Sequence, residues 1–110
     1  MEIMFPPGDD PRDWNETKRL VRRHNTPRAK LIRRRLDDLH AVVSLEVMRQ
    51  LPGRCHELRG DRAGQLSLDL DGPYRLLFRP ASPLPVKPDG GLDWSRVTEI
   101  ILVGVVDTHD

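Results

Sequence analysis

The hydrophobic period of this chain changes near its middle, from the period of a helix to the period of a strand. In the first half, apolar residues recur at spacings of four, three and four positions, at Ile32, Leu36, Leu39 and Val43. This spacing is typical of one apolar face of a helix. Over residues 65–70, polar and apolar residues instead alternate strictly, as in a half-buried strand. The chain is therefore expected to combine helices in its first half with strands in its second.

Two helix starts are visible in the first half, and each has a capping side chain followed by proline. An aspartate before Pro11 predicts a short helix over about residues 11–24. Thr26-Pro27 predicts the start of a second helix, which carries the apolar stripe. Ser44 interrupts this helix, and Pro52-Gly53 ends the turn that follows. The first half is therefore expected to hold two helices.

The second half predicts three or four strands joined by hairpins. Asp71-Gly72 is a turn signal between the apolar alternations at 65–70 and 74–79. Residues 100–106 are apolar on both faces, which is typical of a central strand. Residues 1–5 are a short apolar start that fits an edge strand.

This order of elements predicts an α+β fold, with a small, mostly antiparallel sheet packed against two N-terminal helices. The length of 110 residues predicts a single domain over residues 1–110. Four prolines and Gly90-Gly91 fall within residues 80–96. They predict a long loop that is flexible or functional rather than part of the core.

The charges are nearly balanced overall, with 18 basic and 17 acidic residues, but they are unevenly distributed. Residues 18–35 contain no acidic residue and nine basic ones: Lys18, Arg19, Arg22, Arg23, Arg28, Lys30, Arg33, Arg34 and Arg35. Such a run can lie along the phosphates of a nucleic acid or along an acidic protein. It can equally be a solvated helix face. The sequence leaves these interpretations open.

Cys55 is the one cysteine, so no disulfide can form within the chain, and this fits a reducing cytoplasm. No apolar run has the length of a signal peptide or of a membrane span, which predicts a cytoplasmic protein with no membrane partner. Cys55 and His56 are adjacent, and no second pair stands at zinc-binding spacing. With no phosphate-cradling glycine loop either, the sequence predicts neither a metal nor a cofactor.

Acid–base and phosphate-binding side chains stand at the ends of predicted strands in three separated segments. Histidine suits proton transfer, and the planar fork of arginine pairs with phosphate oxygens. The candidates are the histidines His56 and His109 and the arginines Arg59, Arg62, Arg75 and Arg79. Together they supply what metal-free cleavage of an RNA phosphodiester requires. Each also has a simpler interpretation, as a surface histidine, a solvated strand arginine or a polar chain terminus.

The same segments resemble one family in their order and spacing. They are Pro52 and His56 followed by Leu58-Arg59-Gly60-Asp61-Arg62, then Tyr74-Arg75-Leu76-Leu77-Phe78, then Asp107-Thr108-His109. This pattern is similar to that of HigB toxins, which belong to the RelE/ParE superfamily of type II toxin–antitoxin systems. The N-terminal strand and the two-helix block fit the same layout, so the resemblance covers nearly the whole chain.

The resemblance implies a RelE-like fold and an mRNA endoribonuclease that inhibits growth by cutting messages in the ribosomal A site without metal. It implies as partners the ribosome, mRNA and a cognate helix-turn-helix antitoxin. By matching position, His56, Asp107 and His109 become catalytic residues, and Arg75 stabilises phosphate. On this fold the basic run, with Arg22, Arg23 and Arg34, becomes a surface for ribosomal RNA or for an acidic antitoxin.

The chain departs from the family pattern at Thr108, where the family has a tyrosine before the terminal histidine. Threonine offers neither a ring for base stacking nor a phenolic proton. An alternative is therefore a catalytically inactive or gyrase-directed protein of the same fold that binds an antitoxin or another partner. A third interpretation is a nucleic-acid binder that uses the basic run over residues 18–35.

Overall fold

The structure, a computed structural model, describes residues 1–108, and five strands in this part of the chain form one sheet. The strands are β1 (Glu2–Met4), β2 (His56–Glu57), β3 (Leu66–Asp69), β4 (Tyr74–Pro80) and β5 (Glu99–Asp107). Their order across the sheet is β1-β5-β4-β3-β2, with β1 parallel to β5 and the other pairs antiparallel. The predicted α+β fold, the edge position of the first strand and the central position of the last are confirmed.

The helices precede the main part of the sheet in the chain. They are α1 (Arg12–Asn15), α2 (Thr17–Arg23) and α3 (Thr26–Ala41), with 3₁₀ helices at Leu45–Gln50, Gly60–Arg62 and Trp94–Arg96. The single helix predicted over 11–24 is wrong, because Glu16 has extended backbone angles and separates α1 from α2. The carbonyls of Trp14 and Asn15 at this break accept hydrogen bonds from Arg33 Nη1, at 3.1 and 3.3 Å.

Helix α3 begins and ends within two residues of the predicted positions. Its cap is Asn25 rather than Thr26, because Asn25 Oδ1 accepts a hydrogen bond from the Arg28 backbone N–H at 2.8 Å. The helix ends at Ala41, where Val42 turns to an extended backbone. Val42 is therefore buried, at 7% exposure, whereas Val43 is 80% exposed. The prediction that Val43 belongs to the apolar stripe is wrong.

The core lies between the helices and one face of the sheet. The helical side supplies Ile32, Leu36, Leu39, Leu45 and Met48, and the sheet supplies Leu66, Leu68, Leu76, Phe78, Ile100 and Leu102. Each of these side chains is almost fully buried, so their apolar area is the main stabilising contribution to the fold. The alternation over 65–70 correctly predicts that Leu66, Leu68 and Leu70 face this core.

The segment over residues 80–96 contributes to the core, contrary to its predicted place outside it. Trp94 is 4% exposed and belongs to the core cluster, and Leu92 packs against that cluster. A bridge between Val86 and Leu92 folds the segment back on itself. The high proline content therefore does not mean that this segment lacks packing against the core.

The turn between β3 and β4 forms where Asp71-Gly72 predicts it. The Tyr74 backbone N–H donates to the Asp71 carbonyl at 2.9 Å, and Gly72 has a φ of +51°, which glycine adopts without strain. This turn sets the register that pairs Asp69 with Arg75 across the hairpin. Among residues 1–108, no helix has the length and apolar character needed to cross a membrane.

Candidate functional site

The face of the sheet that points away from the helices carries the charged side chains of β4. Arg75, Leu77 and Arg79 alternate onto this face, which we call the open face, as the sequence predicts. Register across the sheet aligns His56 of β2 with Ser67 of β3, and Ser67 with Leu77. Because directly paired residues project to the same side, His56 and Arg75 share the open face.

Asp69 is the centre of the ionic contacts on the open face. Its Oδ1 lies 2.9 Å from Arg75 Nε, and its Oδ2 accepts a hydrogen bond from Arg54 Nε at 3.0 Å. Partial burial raises the pKa of Asp69, but the Arg54 hydrogen bond and the charges of Arg75, Arg54 and His56 outweigh this, so the net pKa is lowered. Asp69 is therefore a carboxylate at neutral pH and holds two guanidinium groups beside His56.

The backbone of Asp69 is fixed as firmly as its side chain. The Asp69 N–H donates to the Gly53 carbonyl at 2.7 Å, and the buried Arg35 donates from Nε to the Asp69 carbonyl at 2.9 Å. Gly53 has a φ of +113°, and a Cβ there would lie 2.8 Å from Arg35 Nε and 3.0 Å from Leu68 Cδ2. The turn before Arg54 thus requires glycine, because neither the backbone angle nor the space suits a side chain.

His56 is held in one tautomer by the same turn. Its Nδ1 lies 2.8 Å from the Arg54 carbonyl oxygen. A carbonyl can only accept, so Nδ1 carries the proton and donates it. The neutral ring then has an unprotonated Nε2, which is the arrangement that a general base requires. Arg54 itself has a φ of +52°, a left-handed conformation that is uncommon outside glycine.

Arg75 is oriented by three partners, and one of its donor groups has no partner within residues 1–108. Its Nη1 donates to the carbonyls of Gly72 and Tyr74, each at 2.8 Å, and its Nε pairs with Asp69. Among residues 1–108, no hydrogen bond engages Nη2 of Arg75. A guanidinium fixed in this way can present Nη2 to an anion with little loss of side-chain entropy.

Asp107 stands apart from His56 and Arg75. It pairs with Tyr74 at the end of β5, whereas Arg75 pairs with Val106, so strand alternation directs Asp107 to the helix side. Three strand spacings, about 14 Å, separate β5 from the strand of His56. On the helix side, the hydrogen bond with Asp71 raises the pKa of Arg28, and the Asp107 charge acts in the same direction.

Thr108 fastens the end of β5 to the hairpin turn. Its Oγ1 donates to the Pro73 carbonyl at 2.6 Å, and its backbone N–H donates to the same oxygen at 2.9 Å. The residue that departs from the family pattern therefore has a structural contact of its own. His109, a predicted catalytic residue, lies outside the described residues.

The predicted phosphate-binding arginines are dispersed over the surface. Arg59 precedes the 3₁₀ helix Gly60–Arg62 and Arg62 is its last residue, whereas Arg79 lies on β4 on the open face, two residues beyond Leu77. All three are exposed and form no ion pair with any of residues 1–108. They are available to an anionic ligand, although they do not form one cluster with Arg75.

Many of the basic side chains in the run over 18–35 contact other residues of this chain and are less available to a partner. Arg19, Arg23, Arg28 and Arg33 pair with acidic residues, and Arg35 is buried against Asp69. Arg28 also lies over the Tyr74 ring, with 3.4 Å from Cζ to the ring centroid. The exposed members without an ion pair in the described part of the chain are Lys18, Arg22, Lys30 and Arg34. This surface is much less basic than its composition suggests.

Cys55 is unsuited to nucleophilic chemistry. Burial raises the pKa of its thiol to about 12, although the Arg49 charge acts in the opposite direction. Within residues 1–108, no three His, Cys, Asp or Glu side chains meet in a group that could hold a metal ion.

Sequence reasoning missed Asp69 and Arg54. A signal for Asp69 was present, because the alternation that buries Leu68 and Leu70 directs Asp69 to the face that carries Arg75. The Asp71-Gly72 turn also places Asp69 opposite Arg75. Arg54 gave no such signal, because its position depends on the left-handed turn at Gly53-Arg54.

No family model and no curated protein matches the sequence of this chain. Solved structures do match its fold. A YoeB/ParE toxin from Agrobacterium tumefaciens is 12% identical, with a TM-score of 0.55 over 100% of both chains. A YoeB–YefM complex and a YoeB dimer, both from Staphylococcus aureus, are 14% and 16% identical, with TM-scores of 0.56 and 0.54 over 100% of this chain and 98% of theirs. The chain thus has the fold of YoeB/ParE-type toxins.

Proposed function

We propose that this chain is the toxin of a type II toxin–antitoxin pair, of the HigB kind, and cuts messenger RNA on the ribosome in the cytoplasm without a metal ion. The observation that carries the proposal is the shared placement of His56 and Arg75 on the open face, with Asp69 and Arg54 between them. The likeness in fold to YoeB/ParE toxins supports the toxin role.

The cleavage requires a proton acceptor, a cation at the phosphate and a proton donor. His56 Nε2 takes the proton of the 2′-hydroxyl, whose oxygen then bonds to phosphorus, while the bond from phosphorus to the 5′-oxygen breaks. Arg75 Nη2 stabilises the extra negative charge that develops on the phosphate oxygens. An acid must protonate the leaving 5′-oxygen. The resemblance names His56 and His109 as the acid–base pair without saying which is which, with Asp107 orienting or assisting one of them. With His56 as the base, we propose His109 for this step.

The remaining arginines would bind the flanking RNA and the ribosome. Arg59, Arg62 and Arg79 would hold phosphates on either side of the cut, since they are exposed and unpaired within residues 1–108. Arg22, Arg23 and Arg34 would contact ribosomal RNA or an acidic antitoxin. A solved neighbour is a complex of YoeB with YefM, which supports a partner protein here, and we propose a helix-turn-helix antitoxin.

The proposal is tested by inducible expression of the chain without any antitoxin. Growth arrest with cleaved messages is expected for the wild type. Arg75→Ala, His56→Ala and His109→Ala should each reduce cleavage by about 10²- to 10³-fold, because each removes charge stabilisation or a proton transfer. Primer extension on a reporter message measures the cuts.

The matched control is Arg96→Ala, which removes an exposed arginine on the 3₁₀ helix Trp94–Arg96, outside the open face. It should arrest growth as the wild type does. A wild-type chain that accumulates in folded form yet leaves growth and messages intact would rule out the ribonuclease.

A second candidate function is a catalytically silent or gyrase-directed protein of the same fold that binds a partner. Two observations favour it. The Thr108 hydroxyl donates a hydrogen bond to the Pro73 carbonyl, and Asp107 is directed to the sheet face opposite Arg75. Under this alternative the three substitutions above leave the phenotype of expression unchanged, while the chain still binds its antitoxin.

A further inference from the structure

A polar cleft opens beside His56, at the edge of the sheet formed by β2. It encloses about 380 Å³ and is lined by Arg49, His56, Glu57, Arg59 and Trp94, among others. This volume falls in the range of clefts that hold small ligands. His56 thus lines this cleft and also lies on the open face, so an RNA strand bound at His56 would lie beside the cleft.

Arg49 and Trp94 form a stacked pair in this cleft. The Arg49 Cζ lies 3.8 Å from the centroid of the Trp94 ring. Trp94 is almost fully buried, whereas the Arg49 side chain remains 52% exposed. The guanidinium therefore covers the ring with one face and turns the other face to solvent. Such an arginine plane can stack on a nucleobase, because guanidinium and base are both flat and the base has a π-face.

The carboxylates near the cleft are already engaged. Glu46 Oε1 accepts from Arg49 Nε at 3.1 Å, which also fixes the plane of the guanidinium. Glu57 Oε2 accepts from Trp94 Nε1 at 2.9 Å, which fixes the indole. Arg59, by contrast, forms no ion pair with any described residue and is exposed at the cleft. The cleft therefore presents a prepared flat surface next to an available cation, as a nucleotide requires.

We propose that this cleft is a base-binding subsite for single-stranded RNA, in which one nucleobase stacks on Arg49 and an adjacent phosphate contacts Arg59. The inference rests on the proposed ribonuclease function, since it places the bound nucleotide next to the scissile bond at His56. It also supplies a stacking surface in a chain that has Thr108 in place of the family's tyrosine.

The test measures RNA binding without cleavage. A short labelled RNA with 2′-O-methyl riboses cannot be cut, and fluorescence anisotropy gives its dissociation constant. Arg49→Lys keeps the charge and loses the plane, so binding should weaken about tenfold. A set of strands that each lack one base should contain one strand for which Arg49→Lys makes no difference, because the stacking partner is absent. Arg96→Lys is the control and should bind every strand as the wild type does.

Three results would overturn the subsite: no binding of the RNA by the wild type, wild-type affinity in Arg49→Lys, or an equal loss for Arg49→Lys on every strand. Displacement of the RNA by a short oligoglutamate peptide as effectively as by unlabelled RNA would also overturn it, in favour of an acidic peptide. Cleavage of messages is measured separately. If the wild type cleaves messages and Arg49→Lys binds the RNA as tightly as the wild type does, the subsite alone is wrong. If the wild type binds the RNA but cleaves no message, the proposed ribonuclease function is wrong.

Discussion

At the scale of single residues, Asp69 shows how one carboxylate organises this face of the sheet. Its carboxylate pairs with Arg54 and Arg75 and offsets part of their positive charge. Through Arg54 it also holds the turn whose carbonyl accepts the hydrogen bond from His56 Nδ1. The geometry of the proposed base and the proposed phosphate ligand thus depends on a residue that need not touch RNA. Asp69 is a positioning residue in this arrangement.

Asp69→Asn should destabilise the protein at neutral pH and much less at low pH. The folded-state pKa of Asp69 lies below the ordinary value of 3.8, so its contribution is fully present above that pH and is lost as the pH falls through the folded pKa. The expected loss at pH 7 is about 1 kcal/mol, or roughly 4 °C in Tm. Thermal unfolding at pH 7 and at a series of lower pH values that passes through the folded pKa measures it.

Asp61→Asn provides the comparison for this substitution. Asp61 is exposed in the 3₁₀ helix Gly60–Arg62 and forms no ion pair with the rest of residues 1–108. Asp61→Asn should leave Tm nearly unchanged across the same pH series. A loss for Asp69→Asn that does not shrink anywhere as the pH is lowered would mean that the ionic contacts do not account for it.

At the same scale, Thr108 helps to hold two strands of the sheet together. Two hydrogen bonds to Pro73 join the end of β5 to the turn that sets the register of β3 and β4. The threonine at the position where the HigB pattern has a tyrosine therefore has a role in the fold. This contact was not predictable from the sequence, because it joins residues 35 positions apart.

At the scale of elements, the sequence predicts the helices and strands that are long enough for the periodicity of their apolar residues to be visible. The long helix α3 and the strands β3, β4 and β5 each carry enough apolar residues to define their faces, and all four form as expected. The two-residue strand β2 is too short for any alternation to be visible. The break at Glu16 and the end of α3 depend on backbone angles and not on apolar spacing.

The end of α3 can be tested with two adjacent valines of equal size. Val42→Ala should cost about 1.5 kcal/mol of unfolding free energy, because it removes two buried carbon groups from the core. Val43→Ala should change stability by less than about 0.5 kcal/mol, since that side chain is in solvent. Urea denaturation of both variants measures the difference. Equal losses would mean that the helix continues through Val43.

At the scale of the whole molecule, the open-face cluster is a product of tertiary structure. Arg54 comes from the turn at Gly53, His56 from β2, Asp69 from β3 and Arg75 from β4, while the buried Arg35 of α3 supports the Asp69 backbone from the helix side. His56 and Arg75 were predicted because their residue types and the family pattern point to them. Asp69 and Arg54 were not, because their roles appear only when strand register and a left-handed turn bring them together.

The chain is expected to unfold as one unit, in line with the single domain predicted over residues 1–110. Its two tryptophans report on separate parts of the core, Trp14 in α1 and Trp94 in the segment before β5. In Trp94→Phe and Trp14→Phe variants, tryptophan emission and far-UV circular dichroism should therefore show coincident urea transitions within each variant. A tryptophan that changes its emission ahead of the circular dichroism would indicate a separate folding unit.

The parallel pairing of β1 with β5 has a consequence for the order in which the protein is made. Glu2 pairs with Glu99, so β1 has no neighbouring strand until the residues of β5, almost a hundred positions later, have been synthesised. In the sheet, β5 also joins β1 to the hairpin of β3 and β4. A nascent chain without β5 has no continuous sheet and cannot close its core, because long-range pairing forms late. The sheet is therefore expected to close only after β5 has been synthesised.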